Sequence, residues 1–177
     1  SDIRNEFIRH LAANEQWGEA ADQLETLSVF EPAVSHERQL AFFRRKAGQY
    51  RQAAILYRNM LRSKPDDRAI LFNLVFCLDR MGETASSLAL IHEANRVFKT
   101  DVESLLIEGR LLARSGDFDK ALVLFRKVID AFPRDTRGWQ EIADIYRKQN
   151  VPEMAAIYDQ KVRDLTSKKK KPDAKIN

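Results

Sequence analysis

Apolar residues recur along most of the chain at steps of three and four, the pattern of helices that bury one face. Between residues 118 and 131, Ala121, Phe125 and Val128 fall on one such face, with Gly116 in a turn before them and Pro133 beyond the end. The arrangement returns at a fixed distance. Turn glycines stand at Gly48, Gly82 and Gly116, each 34 residues from the next. Small residues follow five places later at Ala53, Ser87 and Ala121, a series that extends back to Ala20 and on to Ala155. Pro32, Pro65 and Pro133 close three of the units, and Lys99 stands where a fourth proline would fall. A period of this length marks a repeat architecture.

Each unit predicts two helices of about three to four turns joined by a tight turn. First helices are expected near 2–14, 34–47, 68–80, 102–114 and 136–149, and second helices near 17–30, 50–63, 84–97, 118–131 and 152–166. The first-helix positions Ile8, Ala41, Val75, Gly109 and Ala143 are expected to face Ala20, Ala53, Ser87, Ala121 and Ala155, because antiparallel helices approach closely only where side chains are short. Leu24, Tyr57, Ile91 and Phe125 are expected to fill the gap to the next unit. One helix pair cannot bury both of its faces, so the units must stack.

Composition agrees with helix throughout: only six Gly and five Pro interrupt 177 residues, and an apolar share of 44% suffices for a continuous core. The formal charge of +4 changes the picture only through its location. It resides in Ser167–Asn177, where Lys168, Lys169, Lys170, Lys171 and Lys175 stand against Asp173, and the rest of the chain is neutral. A neutral body is a poor footprint for phosphate backbones, so nucleic acid is not the expected partner. The segment 167–177 reads as a basic, disordered tail.

Cys77 is the only cysteine, which excludes an internal disulfide and a thiol cluster for zinc. It is expected to act as a small buried hydrophobe. No apolar run is long enough to span a bilayer as a helix. The expected setting is the cytoplasm; the alternative is a soluble domain of a longer envelope-associated protein, since the chain begins at Ser1 rather than Met.

Candidate chemistry is sparse. His10, His36 and His92 fall on different helices, and His92-Glu93 cannot open an H-E-x-x-H zinc motif because Arg96 occupies the place of the second histidine. No nucleophile elbow, Walker loop, dinucleotide fingerprint or calcium loop occurs. The chain is expected to be no enzyme, with no catalytic residue, no metal and no cofactor. Trp17 and Trp139 are expected to pack in the core.

The 34-residue period, the facing small residues, the G-x-[FY]-x-x-A turns of Gly48–Ala53 and Gly116–Ala121 and the closing prolines resemble the tetratricopeptide repeat. Trp139, Ile142, Ala143 and Tyr146 are similar to the family's W-x-x-L-G-x-x-Y opening, with Ala in place of Gly. The resemblance covers residues 1–166 as five units, about 1–33, 34–67, 68–101, 102–135 and 136–166. Unit one departs from it with Glu15 at the turn and Trp17 for the aromatic; unit three has Thr84 for the aromatic and no closing proline. The resemblance implies an all-α fold, a right-handed α-solenoid of antiparallel helix pairs, whose first helices line a concave face.

Carried over residue by residue, the family's ligand-facing positions include Arg9, Arg38, Phe42, Arg45, Phe72, Asn73, Phe76, Arg80, Leu106, Arg110 and Arg114. Spacing agrees with a shared face: Arg38, Phe42 and Arg45 form one helical stripe, and Phe72, Phe76 and Arg80 form another. The expectation is an apolar floor of Phe42, Phe72, Phe76 and Leu106, flanked by Arg9, Arg38, Arg45, Arg80, Arg110 and Arg114. Such a groove suits a protein segment with apolar anchors and acidic flanks. In the alternative, the phenylalanines are buried between repeats and the arginines are merely solvated. The positions of a C-terminal carboxylate clamp hold Asn5 and Arg9, Gln39, then Ala69 and Asn73, which argues against that mode.

The resemblance implies an interaction scaffold or adaptor that holds a partner segment within a larger assembly. One alternative is a bacterial secretion-type chaperone for a client protein. Another is self-assembly: the last helix carries Met154, Ala155, Ile157, Tyr158, Val162 and Leu165 with no capping helix after it, which would allow a homodimer through residues 152–166.

Overall fold

The computed structural model describes residues 2–32, 34–97 and 101–169, and all regular structure among them is helical. In chain order the helices are α1 (Asp2–Ala13), α2 (Trp17–Phe30), α3 (Val34–Lys46), α4 (Tyr50–Ser63), α5 (Arg68–Arg80), α6 (Thr84–Val97), α7 (Val102–Arg114), α8 (Phe118–Ala131), α9 (Thr136–Lys148) and α10 (Pro152–Lys169). The bounds match the periodic pattern closely except at the end of α10. That helix runs three residues past 166 into the expected tail. Nothing in the sequence stops it earlier, since the next proline is Pro172, and the Thr166 and Ser167 hydroxyls donate back to the Val162 and Arg163 carbonyls at 2.8 Å each. Lys99, Lys170, Lys171 and Lys175 lie outside the described residues.

All five tight turns close the same way. Glu15, Gly48, Gly82, Gly116 and Asn150 take φ of 58°, 77°, 80°, 86° and 56°, the left-handed conformation that follows a helix end. The next residue in each turn donates its N–H to the carbonyl five places back: Gln16 to Leu11, Gln49 to Arg44, Glu83 to Leu78, Asp117 to Leu112 and Val151 to Tyr146, at 2.8–2.9 Å. This is the Schellman closure, which satisfies carbonyls that the helix end leaves open. Three first-helix starts share a marker, whereas α2 and α4 begin without a side-chain cap. Asp67, Asp101 and Asp135, 34 residues apart, cap α5, α7 and α9 by accepting N–H bonds from Ile70, Ser104 and Arg137.

The helices divide into two compact units at Leu90, inside α6. In the first unit, Ile8 and Leu11 of α1 meet Ala20, Leu24 and Leu27 of α2 and Leu40 and Phe43 of α3. A second cluster joins α3, α4 and α5 through Ala41, Ala53, Ala54, Tyr57, Ile70, Leu74 and Cys77. Each large aliphatic or aromatic side chain taken fully from water contributes about 1.5–3 kcal/mol. The expected facing of small positions is visible at Ser87, which is fully buried and donates its hydroxyl to the Val75 carbonyl at 2.8 Å. Between α2 and α3, Arg44 is 5% exposed and donates to Asp22 at 2.8 Å, Glu25 at 2.6 Å and Gln49 at 2.7 Å.

The second unit has one cluster, in which Leu106, Ala121, Phe125, Val128, Ile142 and Ile145 join α7, α8 and α9. Phe125 was expected to fill space toward the following unit. It clusters there with Ile142 and Ile145 of α9, and its ring also lies against Gly109 within its own hairpin, where the missing side chain leaves the room. Where α6 meets α7, the buried Glu108 carboxylate accepts from Asn95 at 2.7 Å and pairs with His92 Nδ1, also at 2.7 Å.

Candidate functional site

The face that the repeat frame singles out is assembled in the first unit by α3 and α5. Their opposite stripes are buried, so Phe42 and Phe76 point outward, 38% and 41% exposed. These two rings occupy equivalent positions one repeat apart, and the Arg45 guanidinium lies between them, 5.4 Å from the Phe42 centroid and 5.3 Å from the Phe76 centroid. The sandwich continues at both ends. Trp17 meets Phe42 edge-on at 5.8 Å and carries the Lys46 ammonium 5.1 Å from its ring. Tyr50 meets Phe76 edge-on at 5.9 Å and carries the Arg80 guanidinium at 5.5 Å. Cation–ring contacts of this kind are worth about 0.5–1 kcal/mol each where exposed and more where dry.

Beneath the ladder, burial pushes the Tyr57 hydroxyl above its usual range, while the Arg45 guanidinium pulls it the other way. Burial likewise pushes the Cys77 thiol up to about 11, which fits the expected inert, buried cysteine. The Nε of Arg45 is buried and has no hydrogen-bond partner.

The remaining predicted residues are distributed differently. Phe72 is half-buried beneath the Arg68 guanidinium, 5.8 Å from its centroid, and Asn73 donates to the Ala69 carbonyl of its own helix at 2.9 Å. Arg9 is exposed and donates Nε–H to the Asn5 carbonyl at 3.3 Å. Arg38 is bound to Asp67 at 2.8 Å, so its charge is already met within the chain. In the second unit Arg110 is bound to Glu141 at 2.6 Å, and Arg114 is exposed at the end of α7. Leu106 does not join a floor: it has no exposed surface, because its stripe of α7 faces the core with Phe125 and Ile142.

Trp17, expected in the core, packs partly buried against the first cluster, and Tyr50, which the repeat frame does not single out, packs against the second; both also complete the ladder. The available signal was their shared place two residues after the left-handed turn residue. Trp139 is partly buried, near Tyr158 at 6.0 Å and the Lys161 ammonium at 5.4 Å, and its buried Nε1 has no hydrogen-bond partner. It lines a hollow of about 320 Å³ with Met154, Ile157 and Tyr158, and Ile157 is 61% exposed. Among the described residues no group of three His, Cys, Asp or Glu side chains is placed to hold a metal. No helix among them is long and apolar enough to cross a membrane.

The tetratricopeptide-repeat family profile matches residues 102–145, from the start of α7 into α9. Comparison with curated protein sequences gives no match. Among solved structures, a MamA fragment (41-end) from Desulfovibrio magneticus RS-1 is similar with a TM-score of 0.74 at 14% identity, covering 96% of this chain and 97% of that one. YrrB, described as a TPR protein with an unusual peptide-binding site, is similar with a TM-score of 0.64 at 18% identity, covering 90% and 83%. These likenesses are of fold. Taken with the ten helices found among the described residues, they show that the chain has the all-α solenoid fold of tetratricopeptide-repeat proteins, with the family profile itself matching residues 102–145.

Proposed function

We propose that the protein is an interaction scaffold that holds a segment of a protein partner on the Phe42–Arg45–Phe76 face, without doing chemistry on it. The observation that carries this reading is the exposure of two phenylalanines, 38% and 41%, at equivalent positions around one guanidinium. Aromatic rings and arginines concentrate binding energy at interfaces because they give large contact area at small entropic cost. YrrB is described as a TPR protein with a peptide-binding site, which lends support to a peptide-holding role for the shared fold.

The test compares proteins retained by the wild type and by a Phe42→Glu, Phe76→Glu variant, after circular dichroism and melting show both folded. A partner retained by the first and lost from the second, then reconstituted from purified components, supports the reading. Equal retention removes it. A chaperone for a single client would use the same face and differs in one outcome: the client would be insoluble unless co-expressed.

A second reading is favoured by α10. The exposed Ile157, the hollow beside it and the unpartnered Trp139 Nε1 suit a second copy of the chain packing over residues 152–166. Sedimentation of the wild type and of Ile157→Glu tests it: a concentration-dependent dimer abolished by the substitution supports the reading, and a monomer at all concentrations ends it.

A further inference from the structure

We propose that the ladder selects a partner segment in which an acidic side chain stands between two apolar ones, with Arg45 meeting the carboxylate and the exposed rims of Phe42 and Phe76 meeting its apolar neighbours. This rests on the docking face argued above and adds the order of chemistries along the occupant.

The first support is a difference in charge compensation within one unit. Arg38, Arg44 and Arg58 each hold a carboxylate. Arg45, Lys46 and Arg80 hold aromatic rings instead, and no ion pair described among the residues involves them. The face is therefore cationic through residues that, among the described ion pairs, hold rings rather than carboxylates. The flanking positive charge expected from Arg38 is spent on Asp67, so the acid preference is central rather than terminal.

The second support is the buried, unpartnered Nε of Arg45. That nitrogen is enclosed, but the residue as a whole is only partly buried, so a partner carboxylate would meet the outer N–H groups of the guanidinium and offset the cost of holding its charge against two rings. The third concerns what the face disfavours. A nucleobase would need a free ring face to stack on, but the guanidinium of Arg45 covers the Phe42 and Phe76 faces turned toward it. A carboxylate at the edge of the guanidinium and aliphatic groups at the ring rims require no such displacement.

The experiment selects a displayed library of random short peptides on the purified full chain, with counter-selection on Phe42→Glu, Phe76→Glu. Enriched peptides are expected to carry Asp or Glu between two apolar residues. Their synthetic forms, followed by fluorescence anisotropy, should lose at least about 30-fold in affinity on Arg45→Gln. Changing the peptide's acid to its amide should cost the wild type as much and cost Arg45→Gln little more. Lys46 and Arg80 are exposed, so Lys46→Gln and Arg80→Gln remain informative even if Arg45→Gln does not fold; each should weaken binding about 3- to 10-fold and flatten its salt dependence.

Absence of enrichment, acid-free consensus peptides, or an amide peptide that binds as well as the acid would each overturn the proposal. If peptides depend on the phenylalanines but not on the acid, the docking face stands and only the carboxylate site falls. Peptides indifferent to the phenylalanines remove both. A single-stranded oligonucleotide that displaces the selected peptides more strongly than they bind would also overturn it.

Discussion

The ring of Phe125 lies on Gly109 so closely that a Cβ built on the glycine would stand 2.4 Å from Cε1 and 2.8 Å from Cζ. Both residues are buried, and the ring is enclosed by the core of the second unit. Overpacking of this kind costs about 1–3 kcal/mol, against the roughly 1 kcal/mol that alanine gains over glycine inside a helix. Gly109→Ala is therefore expected to lower stability in urea denaturation, and adding Phe125→Leu should recover part of the loss. A single variant as stable as the wild type would show that the ring moves aside freely.

Glu15 takes the left-handed conformation that Gly48, Gly82 and Gly116 adopt at the equivalent turns. A side chain there costs about 1–2 kcal/mol, while glycine costs somewhat more entropy in the unfolded chain. Glu15→Gly should stabilise by about 0.5–1 kcal/mol, raising Tm by roughly 1–4 °C. Thermal melts followed by circular dichroism decide it, and a lowered Tm would show that the glutamate side chain contributes more than the strain it bears.

Desolvation pushes the Asp67 carboxyl up, but the Ile70 N–H and the Arg38 guanidinium outweigh it, and the group is held below its ordinary value of 3.8. A carboxyl depressed in the folded state adds stability that is full above its ordinary pKa and is lost as pH falls through the lower folded value. Asp67→Asn should thus be less stable than wild type at pH 7, with the difference shrinking below pH ~4. Paired urea titrations at both pH values test this; a gap that widens in acid would refute the assignment.

With its thiol pushed up to about 11 by burial, Cys77 should be almost wholly protonated and shielded at pH 8. Labelling by a thiol reagent should be slow in buffer and rapid in urea, at the rate of unfolding. Fast labelling of the native protein would place Cys77 in a segment that opens locally.

Much of the fold was legible because one period of 34 residues repeats the same punctuation, so Gly48, Gly82 and Gly116 fixed the hairpins before any packing was known. Asn150 closes the last turn in the same conformation, but asparagine is common in turns and carries less signal than glycine. What the pattern missed lies in contacts between helices: Leu106 is buried with Phe125 and Ile142, Arg110 pairs with Glu141, and Arg44 is buried against Asp22 and Glu25 on the preceding helix. A helical wheel assigns a residue to a side of its own helix, and these contacts are made with another. Trp17 does pack, partly buried, against the first core cluster as expected, and it also supplies one rung of the ladder.

Each core cluster draws only on helices that follow one another in the chain: α1 to α4, α3 to α6 and α7 to α10. Side chains that pack together therefore never have to find each other across a long stretch of disordered polypeptide, and the entropy lost in closing each loop stays small. Such a chain belongs among the fast folders, and its nucleus can form at any hairpin and spread to the next, so that synthesis on the ribosome could complete the first hairpins while the last are still being made.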